Sequence, residues 1–176
     1  MANLNLKSTI VPKPWIVEPA VQVLREYLEQ HPQATLLEFG TGCSTAFFAQ
    51  FKINQISVEH DPRWHSQVQH YLDQNNLTWV NLKLIKGNYY EACLEFEPNS
   101  VDIILVDGQH RLKCLEYGAR ILKSSGIIML DDSQHEKYQV ASELFPGWQE
   151  HQVTGEKPNP ISGEIQTARA TWWVKP

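Results

Sequence analysis

Between Trp15 and His31 the apolar residues Ile16, Ala20, Val23, Leu24, Tyr27 and Leu28 recur at helical spacing, which predicts an amphipathic helix. Pro19 falls in its first turn or bends its entry, and Pro32 closes it. Upstream, Pro12 and Pro14 oppose regular structure, so residues 1–14 are expected to form an irregular arm. Downstream the period changes. Short apolar runs at 35–39, 55–59, 82–85, 101–107 and 126–131 alternate with helix-like stretches at 44–51, 62–75, 89–96 and 112–123. Runs as continuous as VDIILVD and GIIML suit strands buried on both faces, as parallel strands are. Strands alternating with helices predict right-handed crossovers and a doubly wound sheet.

The end of the chain breaks this rhythm. After a helix-like stretch at 136–145, two strand-like runs at 147–154 and 167–174 are joined by a linker, KPNPISGEI, whose Pro158, Pro160 and Gly163 exclude a helix. A hairpin is expected there. The fold class is therefore α/β: a mostly parallel seven-stranded sheet with an antiparallel C-terminal hairpin. Residues 1–34 supply an arm and a helix that pack on a core formed by 35–176.

Composition narrows the class. The chain has 176 residues, 42% apolar and 20% charged, the profile of an ordinary globular domain. A net charge of −5 argues against a general electrostatic grip on nucleic acid or an anionic membrane. Cys43, Cys93 and Cys114 are odd in number and widely spaced, which disfavours a disulfide framework or a structural zinc. No apolar run has the form of a signal peptide or approaches a membrane span, so a cytoplasmic protein is expected.

The segment LLEFGTGCST carries the first chemical signal. It places Glu38 at a strand end, then Gly40 and Gly42 in a turn, then small residues opening a helix. Glycine permits positive φ and close approach of a ligand to the backbone, and the helix start offers free amide donors. A second strand, ISVEHDP, also ends in an acid, Glu59, at the roughly 20-residue distance from the glycines expected of a ribose-binding carboxylate. Adenosine binding follows from the pair; the plainer alternative is a tight turn and a helix cap. Between nicotinamide and S-adenosylmethionine (SAM), the sequence favours SAM. Thr45 stands where a dinucleotide fingerprint wants its third glycine. A carboxylate such as Glu38 suits an ammonium and a sulfonium but would repel a pyrophosphate.

LLEFGTGCST followed by ISVEHDPRW resembles the glycine-rich and acidic motifs of the class I SAM-dependent methyltransferases. It resembles most the small bacterial branch with E-x-G-x-G-x-S-T and V-E-H-D-x-x-W, and VDGQHRLKCLEYG, GIIMLDDSQHEKY and TARATWWVKP extend the likeness over residues 35–176. The resemblance implies a Rossmann-like fold with strand order 3-2-1-4-5-7-6, strand 7 antiparallel. It implies that Glu38, Gly40, Gly42 and Ser44 hold the methionine end of SAM. Glu59 would bind the ribose hydroxyls, with His60 beside the adenosine. Asn88, where many relatives have Asp, would meet the adenine. S-adenosylhomocysteine (SAH) would be the product.

Polar residues collect at the expected carboxyl edge of the sheet: Asp107, Gln109, His110 and Arg111 after the fourth strand, Asp131 to His135 after the fifth, and Asn159, Ser162 and Glu164 in the tail linker. Methyl transfer needs alignment and sometimes a base. Asp107 and His110 are the candidates, with Asp107 also facing the cofactor; alternatively Asp107 fixes loop amides and His110 caps a helix. Asp107, Asp131 and Asp132 are weak candidates for Mg²⁺ or Ca²⁺, a cation some O-methyltransferases of this fold use to bind a diol, though Arg111 or Lys137 would compete for the same acids. His65 and His70 form no metal set, Trp64 reads as part of a buried helical stripe, and one of Trp172 and Trp173 is expected to face inward. The expectation is a methyltransferase for a small-molecule oxygen or nitrogen acceptor. Alternatives are a non-catalytic SAM-binding or assembly protein and an NAD-dependent oxidoreductase. Little chain remains for a lid, which favours a homodimer or a large exposed substrate.

Overall fold

A computed structural model describes residues 10–159 and 163–176. The sequence alternation becomes a seven-stranded sheet in the order β3-β2-β1-β4-β5-β7-β6. Its strands are β1 (Thr35–Phe39), β2 (Asn54–Glu59), β3 (Val80–Leu84), β4 (Val101–Val106), β5 (Leu122–Leu130), β6 (Gln149–Pro158) and β7 (Ile165–Val174). The first five run parallel, and β7 is antiparallel to both β5 and β6. Four α-helices connect them: α1 (Glu18–Gln30), α2 (Cys43–Phe48), α3 (Pro62–Gln74) and α4 (Arg111–Ile121).

Why continuous apolar runs form these strands is visible in the two main cores. Leu37, Phe39, Ile104, Val106, Ile128 and Leu130 face one side, against Tyr89, Cys114 and Leu115. Their neighbours Leu36, Ile103, Leu105, Ile127 and Met129 face the other, against Leu24 and Leu28 of α1 and Phe47 and Phe48. Successive strand residues point to opposite faces, so a sheet covered on both sides is apolar at most positions. Cys43, Cys93 and Cys114 are free and buried, the latter two within the first of these cores. Pro19 occupies the first turn of α1, where its missing N–H costs nothing.

Four local expectations change. The stretches at 89–96 and 136–145 are 3₁₀ helices, Tyr89–Glu95 and Glu136–Leu144, rather than α-helices. Strand β5 begins at Leu122, because α4 stops at Ile121 and the chain turns directly into the sheet with a register shift opposite Val101 and Ile103. Both Trp172 and Trp173 are buried, on opposite faces, because each face of β7 is covered: Trp172 joins the core with α1, and Trp173 stacks on Phe145.

The fourth change matters for the site. The hairpin strands run well into the linker, with pairing continuing to Pro158 and Ile165. Pairing of β7 with β5 stops at Thr171 and Leu130. The six pairs beyond it, from Val153–Ala170 to Pro158–Ile165, project roughly 20 Å past that point at about 3.3 Å per residue. An overhanging ribbon thus walls the carboxyl edge where a lid seemed to be missing. Gly155 on this ribbon lets Val17 approach: a Cβ there would lie 3.3 Å from the Val17 side chain. Residues 1–9 and Ser162 of the linker lie outside the described residues.

Candidate functional site

The glycine turn is built by close approach. Gly40 has φ +90°, and a Cβ there would stand 2.6 Å from the Gly108 amide nitrogen and 2.7 Å from its Cα, so the ends of β1 and β4 touch backbone to backbone. Gly42 also has positive φ, and the Trp64 ring covers it at 3.1 Å from where a Cβ would be. The Trp64 indole N–H donates to the Thr41 carbonyl at 2.5 Å. That bond explains why the acidic motif ends in tryptophan: α3, capped by Asp61 on the amides of Arg63 and Trp64, carries an indole back to brace the turn. Reading Trp64 only as core missed this bond.

Glu38 lies beneath the turn and is fully buried. Its carboxylate accepts from the hydroxyls of Ser44 at 2.5 Å, Thr45 at 2.7 Å and Ser57 at 2.7 Å. Burial raises its pKa to about 7 despite these three bonds, which lower it. Thr45, at the position a third glycine would take, accepts from the Gly42 amide at 2.9 Å and so ties the turn to Glu38. Glu59, buried at the end of β2, accepts from the Thr41 amide at 3.1 Å and the Thr41 hydroxyl at 3.0 Å on one oxygen. Its other oxygen takes the amides of His60 and Asp61 at 2.8 and 2.9 Å.

At the end of β4, Arg111 organises the edge. Its guanidinium donates to the carbonyls of Gly108 at 2.8 Å, Asp131 at 2.5 Å and Asp107 at 2.6 Å, and to the Asp107 carboxylate at 2.9 Å. One planar fork therefore joins the ends of β4 and β5. His110 has a left-handed backbone, φ +50°, and its ring lies 6.4 and 5.9 Å from those of Tyr89 and Tyr90. Tyr89, fully buried, donates its hydroxyl to the Gln109 carbonyl at 2.7 Å and packs against Gly108. At the end of β5, Lys157 from the overhanging hairpin donates to the Asp131 carboxylate and stands 3.0 Å from that of Asp132. Lys157 is 4% exposed and Asp131 is fully buried.

Residues 37–133 match the family described as methyltransferase domain, more than half of the chain. The chain belongs to this methyltransferase family. Solved structures share its fold over nearly the whole length. A precorrin-6y C5,15-methyltransferase from Geobacter metallireducens superposes with a TM-score of 0.67 at 16% identity, covering 97% of this chain and 96% of that one. An O-methyltransferase from Bacillus cereus in complex with SAH gives 0.68 at 15%, covering 97% and 85%. A spermidine synthase from Thermotoga maritima gives 0.59 at 18%, covering 85% of this chain and 56% of its own. No curated protein matches the chain significantly in sequence. The fold is the class I SAM-dependent methyltransferase architecture, and at these identities the structural likenesses speak for the fold alone.

In this methyltransferase-family chain, Glu38, Gly40, Gly42, Ser44 and Glu59 gather around one turn, with Asp107 hydrogen-bonded through its amide to the Phe39 carbonyl at 2.9 Å. His60 is adjacent, its Nδ1 2.9 Å from Glu59. Asn88 is exposed at the next loop and donates to Glu91 at 3.1 Å. Asn159 and Glu164 close the hairpin tip through a backbone bond of 2.7 Å. Lys137 does not compete for the acids as expected; it lies over the Tyr138 ring.

Lys157 takes that place, and the sequence hid it inside a linker read as loop. Asp107, Asp131 and Asp132 do each offer an oxygen within 4.8 Å of the others. Yet Lys157 sits on two of these acids and Arg111 on the third, so a divalent metal would have to displace protein cations already paired with them. Three carboxylates share two cations. Burial and the neighbouring Asp107 push Asp131 up to about 8, whereas Asp132, also raised by burial, ends below its usual range because the Lys157 ammonium outweighs it. Among the described residues no helix is long and apolar enough to cross a membrane.

Proposed function

We propose that this protein is a SAM-dependent methyltransferase acting on an oxygen or nitrogen of a small molecule, within the small bacterial branch its motifs resemble. The observation that carries the reading is the Glu59 carboxylate, buried beside the glycine turn and already accepting a hydroxyl and an amide from Thr41. A ribose diol offers hydroxyl donors of the same kind, and exchange of the Thr41 hydroxyl for a ribose hydroxyl keeps the carboxylate satisfied.

SAM, when bound, supplies a methyl carbon made electrophilic by its sulfonium. The residues of the chain position and hold protons. Gly40 and Gly42 keep the turn free of side chains, and an ammonium bound above Glu38 would draw its carboxyl toward the charged form against the burial that raises it. His60 and Asn88 border the adenosine. Asp107 and His110, on the loop after β4, face the side from which an acceptor's lone pair approaches, and either takes the proton an acceptor hydroxyl or amine must lose. Arg111 holds Asp107 in place.

Calorimetric titration with SAM and SAH tests this, with NADH as the control and the Gly40→Val/Glu59→Ala variant alongside. Micromolar binding of either SAM compound, lost in the variant, is the expected result. No binding of either by the native protein overturns the reading, and binding of NADH alone replaces it with an oxidoreductase.

A further inference from the structure

We propose that the Lys157 ammonium is the resident cation of the Asp107–Asp131–Asp132 cluster, standing where a divalent metal would bind and making the site independent of metal. The three acids have the spacing of a hard-cation site. A bare cluster of this kind repels itself, and folding it requires a compensating charge. The chain supplies one from far away in sequence: β6 overhangs the sheet edge and returns Lys157 onto Asp131 and Asp132. The ammonium is almost wholly buried, and Oδ1 of Asp131 is buried with no hydrogen-bond partner among the described residues. A buried lysine is expensive to desolvate unless paired, so its placement here is specific to the acids it meets.

The geometry also gives this cation something a metal would have supplied. An ammonium has three N–H donors, and the acids engage two. Lys157 also lines a cavity of about 260 Å³ formed with Val11, Pro14, Trp15 and Ile16 of the N-terminal arm. A third donor left over by the acids would give an acceptor oxygen entering from that cavity a charge-assisted hydrogen bond, which strengthens as the oxygen loses its proton. This role toward an acceptor rests on the methyltransferase reading. Occupancy of the cluster by Lys157 does not.

The test needs no substrate. Melting temperatures of the native protein, Lys157→Met and Lys157→Arg are followed while Mg²⁺, Ca²⁺ and Mn²⁺ are titrated without SAM. Native protein and Lys157→Arg are expected to be indifferent. Lys157→Met is expected to melt lower and to recover by about 5–10 °C at a hundredfold excess of a bound cation over its Kd. Lys157→Gln, which keeps a polar end but removes the charge, replaces Lys157→Met if the latter does not fold, with the same two outcomes. Divalent-cation binding by the native protein would overturn the proposal. So would a folded Lys157→Met or Lys157→Gln that ignores all three cations. Either result stands apart from a failure to bind SAM, because cofactor enters neither arm.

Discussion

Gly108→Ala should be one of the costlier conservative changes in this protein, and Tyr89→Phe should partly repair it. Gly108 needs no positive φ, so the cost is purely one of space. A methyl there would lie 2.1 Å from the Tyr89 hydroxyl oxygen and 3.1 Å from the Gly40 nitrogen and Cα. Tyr89 cannot swing aside. It is fully buried, edge-on to Phe39 at 5.5 Å, and donates to the Gln109 carbonyl at 2.7 Å. Overpacking at such a site costs about 1–3 kcal/mol, and the displaced hydroxyl loses a hydrogen bond worth about 1 kcal/mol. Gly108→Ala alone should therefore lose about 2–4 kcal/mol.

Tyr89→Phe alone should lose about 1 kcal/mol, because the Gln109 carbonyl keeps a weak donor in the Cys114 thiol at 3.5 Å. In the double variant the oxygen is gone and only the tighter contact with Gly40 remains. Its loss should fall short of the sum by about 1–2 kcal/mol, the signature of directly touching groups. Urea unfolding of the four proteins measures this, each 1 kcal/mol also moving the melting temperature by roughly 2–4 °C. Additive losses would show that Tyr89 and Gly108 do not contend for the same space, and the close packing of the β1 and β4 ends would need another explanation.

Two further outcomes are expected. Glu38 is raised by burial from 4.5 to about 7, so between those values the folded protein holds a proton the unfolded chain has released. Its contribution is full below pH 4.5 and is lost as pH rises to 7, by about 3 kcal/mol. Comparison of urea midpoints at pH 5 and pH 7.5 should show a decline in the native protein that Glu38→Gln reduces, and identical declines would refute it; Asp131, shifted in the same direction, is present in both proteins. Arg111→Met should lose about 3–5 kcal/mol by stranding Asp107 and untying β4 from β5. Arg111→Lys should recover less than half, since one ammonium cannot serve the four acceptors of the planar fork; a loss under about 1 kcal/mol in Arg111→Met, read from the same unfolding curves, would show the fork to be dispensable.

Local pattern alone determined much of this protein. Runs such as VDIILVD and GIIML could only be strands covered on both faces, and their alternation with helices dictated a parallel sheet. The proline-rich tail dictated a hairpin. Gly40, Gly42, Glu38 and Glu59 were legible because strand ends, tight turns and acids at fixed offsets are properties of neighbouring residues, and resemblance supplied the strand order. What only the tertiary structure decided are pairings across long separations. Trp64 reads as core until its N–H is seen on Thr41, and Lys157 reads as linker until the hairpin overhang carries it to Asp131. Both tryptophans of β7 are buried for the same kind of reason: a strand's periodicity tells which residues share a face, but what the rest of the chain packs on the other face decides whether it is open. Sequence spacing encodes local geometry; the partner of a buried charge is set by how the whole chain closes.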